Sequence, residues 1–277
     1  MISFAISVLG ILVTTLVPAY LSMYLFSGLG IIKTRYLAAL GAGLAFWFLF
    51  DTLNDAAQLD VNSSIVNFGG VSHVAVLAVF IAGIAVLALF DSLAVPKPNS
   101  TSVDQDKPHQ VNSKGLILIP VAVAAVMGIH GLGEGWSFAS VASSTSTDSL
   151  VQAFGNIYAL ASDPLHKCLE AGIIGVLYVI YVKRSNAVKA AWHIPVLGLL
   201  FALPSAIGAS VGYYYGFDTT YFYAFGVTAA FYAALRSIEA VSVKFEAGGN
   251  IPSYLGAKVF FAFTLGFLLL YIAALLH

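Results

Sequence analysis

Two stretches of this chain, His130-Gly131-Leu132-Gly133-Glu134 and His166-Lys167-Cys168-Leu169-Glu170, each set an imidazole four residues ahead of a carboxylate inside an apolar run. Residues i and i+4 share one face of a helix, so two such helices side by side would offer a cation two imidazoles and two carboxylates. Two acids buried together hold like charges in a low-dielectric site and must take up protons or a metal. Two neutral imidazoles with two carboxylates suit Zn²⁺, Fe²⁺ or Mn²⁺ better than the oxygen-only shells of Ca²⁺ and Mg²⁺. A divalent ion held by Glu134 and Glu170 makes the cluster electroneutral.

The elements that must carry these groups are membrane helices. Of 277 residues, 60% are hydrophobic and 9% charged, the mean hydropathy is +0.91, and a soluble domain carries about 25% charge. Apolar runs long enough to cross a bilayer, about 20 residues each, fall near 4–27, 37–57, 70–93, 115–145, 152–182, 193–215, 219–241 and 254–276. The expected fold is an all-α, polytopic membrane protein with eight transmembrane helices in a single integral domain, 1–277. The first run has no basic segment before it and no small-residue cleavage site after a short apolar core, so it reads as a retained span and not a signal peptide. A single cysteine, Cys168, leaves no disulfide to expect. No nucleic-acid partner is expected; the partners are the lipid bilayer and the ion.

Basic residues orient the chain. Lys33 and Arg35 fall between spans one and two, Lys97, Lys107 and Lys114 between three and four, Lys183, Arg184 and Lys189 between five and six, and Arg236, Lys244 and Lys258 around the loop between seven and eight. By the positive-inside rule that side is cytoplasmic. The opposite loops hold Asp55, Asp60, Asp148 and Asp218 with no Lys or Arg, which puts both termini outside and leaves Lys167 within the membrane. The segment 94–114, with its polar stretch Pro96–Ser113, reads as a cytoplasmic loop without a core. Counted from the span ends at 1.5 Å per residue, His130 and His166 lie about 22 Å and about 21 Å deep, so both motifs fall near the midplane. One pattern on two adjacent antiparallel helices also looks like an inverted pair, an arrangement that puts ion sites at the repeat interface of transporters.

HGLGEG on span four and HKCLEAG on span five resemble the signature helices of the ZIP (Zrt/Irt-like) metal transporters, whose fourth span carries a His-Asn-x-x-Asp/Glu-Gly type motif and whose fifth carries a His-x-x-x-Glu/His type. Eight spans, both ends outside, a cytoplasmic loop after span three, the small-residue sixth span LPSAIGASVG and the run from Gly266 to His277 extend the resemblance along the chain. The resemblance implies a 3+2+3 inverted-repeat arrangement, a homodimer, the plasma membrane, and transport of a divalent cation into the cytoplasm by alternating access. The ion is Zn²⁺ first, with Fe²⁺, Mn²⁺ and Cd²⁺ as alternatives, and no catalytic cofactor is implied. Carried over by residue, it makes His130, Glu134, His166 and Glu170 the metal ligands.

Departures from that pattern are informative. Gly131 stands where the family often has Asn, and Lys167 where many members have an acid; both positions help hold a second metal in binuclear members. One metal is therefore expected. The Lys167 ammonium is expected near the space of a second cation, offsetting the charge of the empty site, with a lipid-facing, snorkelling Lys as the alternative. Gly133 and Leu169 replace a helix-bending proline of many relatives, and Pro164 can kink span five instead.

Weaker candidates line the outer route. Asp163 is one turn outward of His166 and is either a first stop for the ion or a helix-start acid. Asp51, Asn54 and Asp55 end span two on the outer side; a cation-gathering mouth is one reading, and solvated helix-end residues the plainer one for Asp51 and Asp55. His73, His193 and His277 have no paired acid and read as structural or interfacial, His109 is alone in its loop, and Cys168 should face away from the ion. The protein is not expected to be an enzyme. The rival class is a membrane metalloenzyme using the same ligands for a catalytic zinc, but HExxH is absent.

Overall fold

In a bilayer a backbone must satisfy its own hydrogen bonds, which makes each long apolar run a helix. The computed structural model describes residues 4–29, 32–57, 73–94, 116–144, 149–183, 190–217, 219–242 and 257–275, and among them every regular element is helical. The long helices are α1 (Phe4–Gly28), α2 (Thr34–Ala57), α3 (His73–Ala94), α4 (Leu118–Ser144), α5 (Ile157–Tyr178), α6 (Ala190–Gly212), α7 (Thr220–Ser242) and α8 (Ala257–Leu275). Six of them, α1, α2, α4, α5, α6 and α7, are long and apolar enough to cross a membrane, while α3 and α8 contribute the shorter apolar stretches Val76–Ser92 and Lys258–Ala273. The chain is an integral membrane protein, all-helical in its described residues.

The fifth apolar run is broken where hydropathy alone reads it as continuous. A single turn, Leu150–Ala153, is capped by Ser149, whose Oγ accepts from the Gln152 N–H at 3.3 Å. Gly155 follows at φ +93, a conformation that costs glycine little, and Asn156 then caps α5 by accepting from the N–H groups of Tyr158 and Ala159. His166 therefore lies in the third turn of a helix beginning at Ile157, instead of 14 residues into a span beginning near Gln152. The helix continues through Pro164, which cannot donate to the Leu160 carbonyl. At its far end a π turn, Val179–Lys183, carries Tyr181, whose hydroxyl donates to the Arg236 carbonyl of α7 at 2.9 Å.

Helix α5 is the centre of the bundle. It packs against α1, α2, α4 and α8, and the whole run Leu169–Val179 is buried. Around it α1 packs on α6, α3 on α4 and α7, and α2 on α7 and α8. The tightest seam joins α4 to α6 through small residues. A Cβ added at Gly128 or Gly135 would overlap the carbonyl oxygen of Leu200 or Ser205, and one added at Gly208 or Gly212 would overlap that of Leu132 or Trp136. Such reciprocal close approach of backbones is how membrane helices associate when lipid removes the hydrophobic drive.

The outward surface is apolar. On α1, Leu9, Val13, Val17 and Leu21 recur at four-residue spacing and are all exposed, a stripe facing lipid. Trp192, in the first turn of α6, and Tyr214 and Tyr215, just beyond its last, are exposed as well. Away from the centre, Arg236 pairs with Asp91 of α3 and with Glu239, and the Tyr232 hydroxyl donates to Asp91, tying α3 to α7.

Candidate metal centre

Two helices bring the chemistry together. Both His-x-x-x-Glu pairs close on their own faces: His130 Nε2 lies 3.3 Å from Glu134 Oε1 on α4, and His166 Nε2 lies 2.8 Å from Glu170 Oε1 on α5. Across the two helices, donor atoms of His130, Glu134 and Glu170 all fall within 4.8 Å of one another. A modest contraction would set them around one ion at the ~2.0–2.2 Å that nitrogen and carboxylate ligands take on Zn²⁺. This is a possible metal-binding cluster.

Of the four predicted ligands, His166 stands outside that group of three. Its Nε2 faces Glu170 and, at 3.6 Å, the Asp51 Oδ2 of α2. It holds the Glu170 carboxylate from behind.

Asp51 corrects the plainer sequence reading of a solvated helix end. Helix α2 runs six residues past it, to Ala57, and Asp51 turns inward to His166 and lines the same cavity as Glu134. The side chain of Asp55 lies outside the described residues, as do those of Asn54 and His73 and the whole of His109 and His277. His193, on α6, has its Nδ1 3.2 Å from the Tyr178 hydroxyl. Cys168 is half-buried beside Ser22 of α1, away from the cluster.

Lys167 lies neither at the lipid surface nor merely beside a second ion's space. It is 5% exposed. Its Nζ donates to Glu134 Oε2 and reaches both oxygens of Glu170, at 3.2 and 3.0 Å. The ammonium thus supplies one of the two positive charges that two adjacent buried carboxylates need for neutrality.

The surroundings are shaped for these groups. The His130 ring packs edge-on against Phe48 and Tyr223 at 5.3 and 5.2 Å between centroids, and a Cβ at Gly226 of α7 would run into it. His130 Nδ1 has no hydrogen-bond partner among the described residues. Ser205 of α6 was not singled out from sequence, yet it is 2% exposed, its Oγ has no hydrogen-bond partner among the described residues, and it lines the cavity beside Glu134. A Cβ at Gly131 would press on that Oγ, so the residue standing where the resemblance expects Asn leaves room for a hydroxyl from the neighbouring helix.

A cavity of about 400 Å³ reaches the cluster. Its floor is Glu134, His166, Lys167 and Asp51, and its walls rise past Asp163 on α5 and Phe138 on α4 to Ala153 and Phe154. It opens toward the end of the bundle where α4 finishes and α5 starts. Comparison with protein-family models and with curated proteins finds no match.

Proposed function

We propose that this chain is a ZIP-like divalent metal transporter that carries one ion at a time, Zn²⁺ in first place, through a site made by α4 and α5. The observation that carries this reading is the convergence of His130, Glu134 and Glu170 from two buried helices, with Glu134 reaching a polar cavity that Asp51, Asp163, His166 and Lys167 also line. Borderline-soft divalent ions favour mixed nitrogen and carboxylate donors, and groups this costly to bury in a membrane mark ion pathways. The ion passes Asp163 and Asp51, binds the cluster, and leaves toward the cytoplasm after the helices rearrange.

Packing supports an inverted repeat of three helices on either side of the α4–α5 pair. Exchange α1 with α6, α2 with α7, α3 with α8 and α4 with α5, and the contacts map onto one another: α1–α5 onto α6–α4, α2–α5 onto α7–α4, α3–α4 onto α8–α5, and α3–α7 onto α8–α2. With three helices per unit and two between, the second unit runs opposite to the first if all eight cross. In this reading both termini are outside, the membrane is the plasma membrane, and the protein works as a homodimer.

The test is uptake into proteoliposomes loaded with a Zn²⁺-sensitive dye, repeated with Fe²⁺, Mn²⁺ and Cd²⁺. Saturable uptake that His130→Ala removes is the expected result; bound metal with no flux would point instead to a structural or catalytic ion. Asp51→Asn provides a graded check. It removes a group that holds His166, and through it Glu170, from outside the three-donor cluster, a kind of change that costs about tenfold in metal affinity. Uptake at limiting metal should fall by about that factor, with the maximal rate nearly unchanged. Uptake removed at every metal concentration, as expected for His130→Ala, would instead put Asp51 among the ligands.

A further inference from the structure

The ammonium of Lys167 and a metal ion cannot use Glu134 and Glu170 together. Nζ contacts both carboxylates, and a metal would draw an oxygen of each into its own shell at about 2.0–2.2 Å. Two cations would then share the space between two acids. One must leave, and the covalently tethered one can only turn aside.

Asp163 is where it can go. It lies four residues before Lys167 on α5, one turn toward the mouth, and lines the same cavity. Helical side chains lean toward the N-terminus, so a rotamer change alone carries Nζ from the Glu134–Glu170 pair toward the Asp163 carboxylate. An acid four residues ahead of a Lys is also the favourable order for a helical ion pair. The ammonium is a compact point charge on a flexible stem, without the rigid fork by which arginine clamps carboxylates, and so it is suited to letting go.

We infer that Lys167 is a built-in competitor for the metal site: its ammonium fills the empty site, is displaced onto Asp163 when a divalent ion binds, and returns to expel that ion. The inference rests on the metal-transport reading above and adds to it a device that keeps affinity low enough for release. Lys167 remains charged throughout, so the exchange is one of position.

The experiment is a Co²⁺ titration of the detergent-solubilised full chain, followed by the visible absorption of bound Co²⁺. Lys167→Gln removes the competitor and should bind Co²⁺ at least tenfold more tightly than the unaltered protein. Asp163→Asn removes the waiting position and should weaken binding several-fold, and Lys167→Arg should weaken it too. In liposomes Lys167→Gln should take up metal more slowly at saturation despite its higher affinity. Should His130→Ala and Glu134→Ala bind Co²⁺ as well as the unaltered protein, the metal site itself is wrong. If those two lose binding while Lys167→Gln binds no more tightly than the unaltered protein, the competitor role alone is overturned. Where Lys167→Gln fails to fold, Asp163→Asn decides, since unchanged or tighter Co²⁺ binding in that variant overturns the competition.

Discussion

Glu170→Ala should reduce metal uptake to the background of protein-free liposomes and weaken the fold at the same time. Glu170 is 1% exposed, and it is the group on which four others converge: His166 Nε2 at 2.8 Å, Lys167 Nζ at 3.0 Å and the other two donors of the metal cluster. Its removal takes away one of the three proposed donors and leaves Lys167 with Glu134 as its one remaining carboxylate in the pair. Removing one partner of a buried ion pair costs about 3–5 kcal/mol, which should appear as a marked fall in the thermal midpoint of the purified protein. Glu170→Gln separates the two losses. The amide fills the same volume and can still hydrogen-bond, so the midpoint should recover most of the way, whereas uptake should stay at background because the charge and the anionic ligand are gone. Uptake by the Gln variant at anything near the unaltered rate would remove Glu170 from the metal site.

Gly208→Ala should destabilise the bundle although alanine is the better helix former. In an open helix the change gains about 1 kcal/mol, and Gly28→Ala serves as the comparison because nothing lies within 4 Å of a Cβ added there. At Gly208 that Cβ would overlap the Leu132 carbonyl, a backbone atom that no side-chain rotation can move aside. Overpacking of this kind costs about 1–3 kcal/mol, so the sign of the effect reverses between the two glycines. The damage also reaches the site, because parting α4 from α6 draws Ser205 away from Glu134. A lower thermal midpoint and reduced Co²⁺ binding are expected for Gly208→Ala, with a raised midpoint and unchanged Co²⁺ binding in Gly28→Ala; a stabilised Gly208→Ala would show that the seam is looser than its geometry.

The two His-x-x-x-Glu pairs were readable in the sequence because their spacing matches the helix period and their apolar setting makes them expensive. What escaped reading depended on contacts between helices. Asp51 looked like a helix end because its neighbours Asn54 and Asp55 are polar, and only the continuation of α2 to Ala57 and the position of His166 turn it inward. Ser205 gave no signal, since a serine in an apolar helix ordinarily bonds its own backbone and its aim here follows from the glycine seam with α4. Lys167 was readable as a charge balance, but where a four-carbon stem ends is decided by Glu134 on another helix. The break before α5 was written locally, in Ser149, Gly155 and Asn156, and was hidden by averaging hydropathy over a whole span.

The exposed aromatics at the two ends of α6 act as a ruler. From Trp192 to Gly212 the helix rises about 30 Å, the thickness of the hydrocarbon layer, and tryptophan and tyrosine settle at its two boundaries. Halfway along stands Ala202, with Ser205 about 4.5 Å farther on beside the carboxylate of Glu134. A divalent ion held at that level has crossed half of any voltage applied to the membrane, a difference of about 2.3 kcal/mol for every 100 mV.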